Sequence, residues 1–271
     1  MKKIYIFRDY PITVVFKKLM VLLCARASFL MPDKYYLVRY RGGRIYLNLK
    51  ESPMMIAKAF GVYEYWKTKL LVDLVREEMT LIDIGANKGY FTLLFARLMN
   101  ENGRVYSFEP IEENCSWIQK SISANGYRCI ELAPLALSDN EGTRDFYPGA
   151  KSGWGSFFYS PEESMAANKK ILVNTRTLDS FLKERQLEDV DLIKIDVQGA
   201  ELLVLKGAAD VLSSSKKIKL LVDVDIQSEE DRELLVNMLK SYDFKLFRIG
   251  KKLYPISHLD PSVKDIYASK D

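Results

Sequence analysis

Leu81-Ile-Asp-Ile-Gly-Ala-Asn-Lys-Gly-Tyr90 decides the reading of this chain, because a short apolar strand runs through a glycine turn straight into a helix. One helix later Val105-Tyr-Ser-Phe-Glu109 forms a second strand that ends on a carboxylate. Gly85 suits a turn whose backbone residues with a Cβ avoid, and Gly89 lets the following helix pack close to the strand. Glu109 stands where the two hydroxyls of an adenosine ribose could be held. Together these pieces outline a nucleotide-type cofactor site.

The spacing discriminates among cofactors. A dinucleotide fingerprint opening at Gly85 requires glycine at the positions of Asn87 and Tyr90, and a phosphate loop requires Ser or Thr after Lys88, where Gly89 stands. What remains is D-x-G-x-x-x-G, with Asp83 placed to meet an ammonium group rather than a pyrophosphate. S-adenosylmethionine carries an ammonium, a ribose and a sulfonium, and it suits this acidic site. A plain strand-to-helix turn would explain the glycines but not the carboxylate that follows them.

At 271 residues with 48% hydrophobic content the chain can bury a large core, which suits one α/β domain with an N-terminal extension. The 40 Lys and Arg against 36 Asp and Glu leave a small positive balance spread along the chain, without the dense basic block of a nucleic-acid binder. Cys24, Cys115 and Cys129 lack metal-ligand spacing and read as free thiols in a reducing, cytoplasmic setting. The apolar run Leu19 to Ala25 is short for a membrane span, and charges at Arg8, Asp9, Lys17 and Lys18 break the signal-peptide pattern. It reads as a helix docked on the domain, with peripheral membrane contact through Lys17, Lys18 and Arg26 as the alternative.

Residues 1–78 are expected to form a helical and hairpin extension, 79–250 the catalytic domain, and 251–271 a tail. Alternation around Arg41-Gly-Gly-Arg44 signals a hairpin, and Gly61 divides two helices between Met54 and Glu78. Strand and helix then alternate: Leu81–Ile84, Tyr90–Met99, Arg104–Phe108, Ile111–Ala124 and Ile130–Leu137, which demands a parallel sheet with right-handed crossovers. Residues 139–174, rich in Gly and Pro, read as an irregular substrate loop. A helix over Thr177–Glu188, a strand over Asp191–Val197, a helix over Glu201–Leu212, a strand over Ile218–Ile226, a helix over Glu229–Ser241 and a hairpin around Gly250 complete the run. No internal repeat or low-complexity linker interrupts it.

The second informative cluster is Asp191-Leu-Ile-Lys-Ile-Asp-Val-Gln-Gly-Ala-Glu201, a strand that ends in polar residues and turns into a helix at Gly199. Period-two alternation places Lys194 and Asp196 on one face of it. In open α/β sheets the ligand crevice lies beyond the carboxyl ends of the strands, where Asp83, Glu109, Asp196 and Asp225 would gather. Capping of the next helix is the structural alternative for Asp196 alone.

At this point the chain resembles the FkbM family of S-adenosylmethionine-dependent methyltransferases, from about Gly42 to Gly250. Three pieces carry the resemblance: Asp83-Ile-Gly-Ala-Asn-Lys-Gly-Tyr90 with Phe108-Glu-Pro110, the loop Gly153-Trp-Gly-Ser156, and Lys194-Ile-Asp-Val-Gln-Gly-Ala-Glu201 preceded by Thr177-Leu-Asp179. The resemblance implies a Rossmann-like seven-stranded sheet with an antiparallel last strand, and methyl transfer to a hydroxyl oxygen. It implies that Asp83, Gly85 and Gly89 line the methionine part of the cofactor, that Glu109 holds the ribose, and that Ser138 and Asp139 flank the adenine, with Asn87 also among the cofactor-binding residues. Gln198 departs from it, standing where many relatives carry Glu, and so does Asp223-Val-Asp225 at the end of the fifth strand.

On the acceptor side the expected base is Asp196, with Lys194 or Glu201 tuning or orienting it. Trp154 between two glycines would cover the apolar face of a sugar, with Ser156 and Gln198 beside it and Phe157, Phe158 and Tyr159 as walls. Packing of these aromatics against the core is the competing reading. A magnesium site of Asp196 with Asp223 or Asp225 is the less favoured variant. His258, the single histidine, reads as a surface residue. The expected acceptor is a small molecule or glycan precursor, with a lipid or polyketide-like hydroxyl second, and a non-catalytic binding protein is the rival from another class.

Overall fold

The computed structural model describes residues 10–149, 155–158, 170–187 and 189–270. Helix α1 (Ile12–Ala27) leads to the hairpin β1 (Tyr36–Tyr40) and β2 (Gly43–Leu47). Arg41 and Gly42 both take positive φ, +44° and +84°, the two-residue turn geometry that matches the twist of paired strands. Helix α2 (Pro53–Ala59) opens on a proline, whose missing N–H would be unpaired there anyway, and α3 (Tyr65–Leu74) follows after Gly61 and Glu64 turn the chain with positive φ.

The alternation then proceeds through β3 (Thr80–Ile84), α4 (Tyr90–Leu98), β4 (Arg104–Phe108), α5 (Glu112–Asn125) and β5 (Ile130–Ala133). The strand expected over Ile130–Leu137 is broken in two. Pro134 has no N–H for a ladder, Leu135 N folds back on Ala133 O, and β6 (Ala136–Leu137) joins another sheet. The described residues of 139–174 are likewise more regular than expected. They carry β7 (Gly142–Pro148), β8 (Gly155–Ser156) and most of β9 (Ile171–Arg176), and with β6 these make a four-stranded sheet in the order β6-β9-β7-β8. Its breakers sit at strand ends, with Gly142 opening β7 and Pro148 closing it.

Helix α6 (Leu178–Glu184) is capped by Thr177, whose Oγ1 accepts the Ser180 N–H, and β10 (Leu192–Ile195) returns to the main sheet. The helix expected over Glu201–Leu212 is divided into α7 (Glu201–Lys206) and α8 (Ala209–Ser214) at Gly207, where a Cβ would lie 2.0 Å from the Ser138 carbonyl oxygen. Then come β11 (Lys219–Asp223), α9 (Glu229–Ser241), β12 (Lys245–Arg248), β13 (Tyr254–Ile256) and β14 (Asp265–Ser269).

The main sheet has the order β13-β12-β14-β11-β10-β3-β4-β5. Strands β5, β4, β3, β10 and β11 are parallel, and β14 inserts antiparallel between β11 and β12. This is the seven-stranded methyltransferase sheet with its antiparallel last strand, extended by β13 as an eighth. The last strand lies in the stretch expected to be a tail, because Ile266, Tyr267 and Ala268 are all buried and show no alternation to read.

Both faces of the sheet are covered. Ile82, Ile193, Leu220 and Val222 pack toward α6 to α9, while Leu81, Val105, Leu192 and Leu221 share a core with α4, α5, the hairpin and α3. The N-terminal extension therefore closes one face of the sheet. Strand order runs from β3 outward in both directions, and Asp83 is in register with Lys194 on β10. The switch point thus lies between β3 and β10, which is where a crevice opens in folds of this kind.

Candidate active site

A cavity of about 420 Å³ sits beyond the carboxyl ends of β3, β4, β10 and β11, and Gly85, Glu109, Asp196 and Asp225, one from each strand end, are among its wall residues. Gly85 has φ +75°, and a Cβ there would lie 1.9 Å from the Asp196 carbonyl oxygen. Only glycine lets the two strand ends come this close. Gly89, at φ +79°, lies against Ile118 of α5, so it serves helix packing rather than the cavity wall. Asn87 also takes positive φ, +56°, and faces the cavity.

Glu109 is almost wholly buried and is held by three donors. Its Oε2 accepts the Asn87 N–H at 2.8 Å, and its Oε1 accepts the Ile111 N–H and Asn114 Nδ2, both at 3.0 Å. Burial raises its pKa, and these hydrogen bonds oppose that rise.

The other wall is an ion network. Lys194 Nζ, buried, lies 3.1 Å from Asp83 Oδ1 and 3.3 Å from Asp196 Oδ2, and it donates to the Gly85 carbonyl oxygen. Burial alone would lower its pKa, but the two carboxylates raise it above the ordinary lysine value. Asp196 Oδ1 accepts Gln198 Nε2 at 3.1 Å. Burial works to raise the Asp196 pKa, and Lys194, Lys67 and Gln198 outweigh it, so the carboxyl is held below its ordinary range.

Several expected residues stand elsewhere. Asp83 does meet an ammonium, but that of Lys194. It is fully enclosed, accepts Thr92 Oγ1 at 2.6 Å, and does not line the cavity. Ser138 and Asp139 also lie off the wall, which is lined in this stretch by Leu135, Ala136 and Leu137. Ser138 Oγ bonds Asp139 Oδ1, and Asp139 pairs with Arg144 at 2.6 Å. Glu201 supports the turn instead of touching Asp196: its Oε1 accepts the Gly199 N–H at 3.0 Å, and burial lifts its pKa to about 7. Ser156 Oγ donates to the Gln198 carbonyl oxygen at 2.7 Å, tying the small sheet to the second turn, while Phe157 faces the cavity and Phe158 is exposed. Gly153, Trp154 and Tyr159 lie outside the described residues.

The expected metal ligands regroup as well. Carboxylate oxygens of Glu64, Asp196 and Asp223 come within 4.8 Å of one another, without Asp225. Lys67, buried, reaches Glu64 and Asp223 at 2.8 Å and Asp265 at 2.5 Å. Burial and Asp196 raise the Asp223 pKa against the pull of Lys67. The Lys67 ammonium already lies against two of the three carboxylates and occupies space a cation would need, so this donor set fits Mg²⁺ poorly.

The sequence reading missed Lys58, Tyr63 and Glu64, all three on the cavity wall. They come from the N-terminal extension and carry no motif. The available signal was lysine at core positions of two short helices: Lys58 in α2 and Lys67 in α3 are both buried. Lys58 Nζ donates to Asn87 Oδ1 at 3.1 Å, and burial lowers its pKa to about 8 against the raising influence of Glu64 and Asp196.

The chain is similar in sequence to known methyltransferases. The 2-O-methyltransferase NoeI of Sinorhizobium fredii is 29% identical over 157 residues, 54% of this chain and 63% of that protein. The hexuronic acid methyltransferase AglP of Haloferax volcanii is 25% identical over 167 residues, 62% of this chain and 65% of that protein. The chain thus spans somewhat less than two thirds of the length of either relative. A methyltransferase FkbM from Methylobacillus flagellatus superposes over 81% of this chain and 54% of its own, with 16% identity and a TM-score of 0.49. Residues 83–246, from the acid of the first glycine turn to β12, match the Methyltransferase FkbM domain, and the chain belongs to that family.

Proposed function

We propose that the protein transfers a methyl group from S-adenosylmethionine to a hydroxyl of a sugar or glycoconjugate precursor, in the cytoplasm where that cofactor is made available. The observation that carries this reading is Asp196 on the cavity wall beside the glycine turn, its carboxylate held by Lys194 and Gln198, with Glu109 at the strand end on the other side of that turn. Fit supports the cofactor: Gly85, Asn87 and Glu109 offer the turn, a cavity-facing amide and a carboxylate, and Leu135 and Leu137 offer apolar cover for a base. When bound, S-adenosylmethionine supplies an electrophilic methyl group on a sulfonium. The chain's own work is alignment of the acceptor oxygen and removal of its proton.

Asp196 Oδ2 is the acceptor for that proton. Its pKa is held low, so it is a weak base toward a neutral alcohol. The hydroxyl becomes strongly acidic as its oxygen gains the methyl group, so a weak base that is always ionised is adequate late in the transfer. Lys194 fixes the carboxylate and Gln198 holds its second oxygen. No step needs a metal.

The sugar assignment leans on the relatives' names and on the mixed wall of carboxylates and apolar residues such as Phe146 and Phe157. Purified protein incubated with methyl-labelled S-adenosylmethionine and separate nucleotide-sugar, glycan and lipid fractions tests it. Label in a sugar-bearing fraction is expected. Label only in sugar-free lipid would change the acceptor class, and cofactor binding without transfer to any fraction would favour a binding protein.

A further inference from the structure

Four lysines of the described residues are buried, and three of them are paired with carboxylates: Lys67 with Glu64, Asp223 and Asp265, Lys194 with Asp83 and Asp196, and Lys88 with Glu51 at 3.6 Å. Lys58 is the exception. Its Nζ has Asn87 Oδ1 at 3.1 Å and the Tyr63 ring at 4.8 Å, and no carboxylate within ion-pair distance among the described residues. Burying an ammonium against neutral partners is unfavourable, because the lost hydration is not replaced by an opposite charge. The side chain is only 2% exposed, yet it lines the cavity, so an anion can reach it only as a ligand.

We infer that Lys58 is the binding residue for the α-carboxylate of the cofactor's methionine end. Its position fixes which carboxylate is meant. Asn87, its hydrogen-bond partner, belongs to the first glycine turn, and its N–H is bound to the same Glu109 that marks the ribose side. The methionine end must therefore lie along this turn, between Glu109 and the β10 terminus, and Lys58 is the cation placed there from the N-terminal extension without a carboxylate partner. Lys194 is already paired with two carboxylates, Lys264 is exposed on the β11 side beside Asp225, and Lys88 lies off the wall, bonded to Tyr35 and to the wall residue Asn114. The inference rests on the cofactor reading above and adds the residue that closes its charged end.

Calorimetric titration of S-adenosylhomocysteine and of 5′-methylthioadenosine, which lacks the amino acid end, tests it on wild type, Lys58→Met and Lys58→Arg. Lys58→Met should weaken S-adenosylhomocysteine ten- to hundredfold and leave methylthioadenosine unchanged, and Lys58→Arg should recover part of the loss. The ligand-free Lys58→Met protein should melt no lower than wild type, because an unpaired buried charge is replaced by a side chain of similar length. Equal losses for both ligands, or none for either, would overturn the assignment. If wild type binds neither ligand, the cofactor reading itself fails.

A second surface stands on separate observations. Seven of the twelve exposed large apolar side chains among the described residues fall between Ile12 and Leu30. In α1, Val14 and Val21 are buried toward α2, whereas Ile12, Phe16, Leu19 and Leu23 recur at i, i+4, i+7 and i+11 and form an apolar stripe on the opposite, open side. Arg26 is exposed beside it, Lys17 is exposed on the flank nearer the buried side, and no acidic residue occurs from Pro11 to Pro32. We propose that this face rests on an anionic lipid surface. Its all-positive charge complements acidic head groups and would repel a second copy of itself. No helix of the described residues is long and apolar enough to cross a membrane, which leaves a helix lying flat. The protein should co-sediment with phosphatidylglycerol-containing vesicles at least tenfold better than with pure phosphatidylcholine, and a Leu19→Ser, Leu23→Ser double variant should lose that binding while keeping its melting temperature. Equal or absent binding to the two vesicle types, or a concentration-dependent dimer that the same variant abolishes, would overturn it.

Discussion

Two strand-to-helix turns meet side by side at the edge of the cavity, and they solve the same geometric problem with different chemistry. The turn after β3, Gly85 to Gly89, is built from backbone: Gly85 and Ala86 N–H groups both bond the Phe108 carbonyl oxygen, and Asn87 N–H bonds Glu109. The turn after β10, Asp196 to Glu201, is built from buried charge, with Lys194, Gln198 and Glu201 fixing it through side chains. A turn of the first kind presents a fixed shape to a constant cofactor. One of the second kind holds a carboxylate through side chains, so its charge and position change when those side chains change.

Asp196→Asn attacks the second turn where the difference should be largest. The carboxamide keeps the shape and loses the charge and basicity, so methyl transfer should fall ~100- to 10,000-fold while S-adenosylhomocysteine affinity changes far less. Radiometric assay beside calorimetry checks both. Normal turnover in the variant would remove Asp196 from proton transfer.

Gly85→Ala attacks the contact between the turns. Its Cβ would meet the Asp196 carbonyl oxygen at 1.9 Å from a left-handed backbone, so the strand ends must part, at a loss on the order of 3 kcal/mol in stability. Gly89→Ala meets only the Ile118 side chain at 3.2 Å and should lose roughly 1–2 kcal/mol. Urea midpoints should rank wild type above Gly89→Ala above Gly85→Ala, and the reverse order would mean that the close approach is not what requires glycine.

This contrast also explains what the sequence disclosed. Spacing of glycines and a strand-end acid is a local pattern, so Gly85, Asn87 and Glu109 were legible, as was the alternating order of the parallel strands. Asp83 was misread because its partner, Lys194, is 111 positions away and becomes adjacent only through strand register. Lys58, Glu64 and Lys67 were invisible for the same reason: their meaning lies in neighbours supplied by other elements. Glu201 was drawn toward Asp196 by proximity in sequence, yet its side chain turns back to the Gly199 N–H. Strand β14 was lost because a strand buried on both faces has no period to read.

The two acids of the second turn shift in opposite directions, and this gives a pH prediction. Glu201 has a folded pKa of about 7 against an ordinary 4.5, so the folded state binds its proton more tightly than the unfolded state does. Its contribution is fully present below pH 4.5 and is lost as pH rises toward 7, a fall of roughly 3 kcal/mol from this group. Glu201→Gln keeps the acceptor for Gly199 N–H and should flatten that part of the stability curve. Denaturant unfolding at a series of pH values compares them, and identical slopes in the two proteins would show that Glu201 does not titrate there.

A narrower test concerns the first turn and sharpens what Glu109 can do. A carboxylate has about four acceptor sites, and three are occupied by Asn87, Ile111 and Asn114, two of them on Oε1. One site remains, on Oε2. Both ribose hydroxyls can be held together only if a protein donor is displaced from Oε1, so the unperturbed geometry favours a single strong hydrogen bond. Glu109→Ala removes that bond and should weaken S-adenosylhomocysteine by ~1.5–3 kcal/mol, on the order of ten- to a hundredfold. The 2′-deoxy and 3′-deoxy forms of the ligand then separate the two arrangements in the wild-type protein. One of them should bind nearly as well as the parent and the other should lose about as much as the variant does. Equal losses for both would mean that the ribose pulls Oε1 away from Asn114 or Ile111, and in that case Asn114→Ala should strengthen binding rather than weaken it.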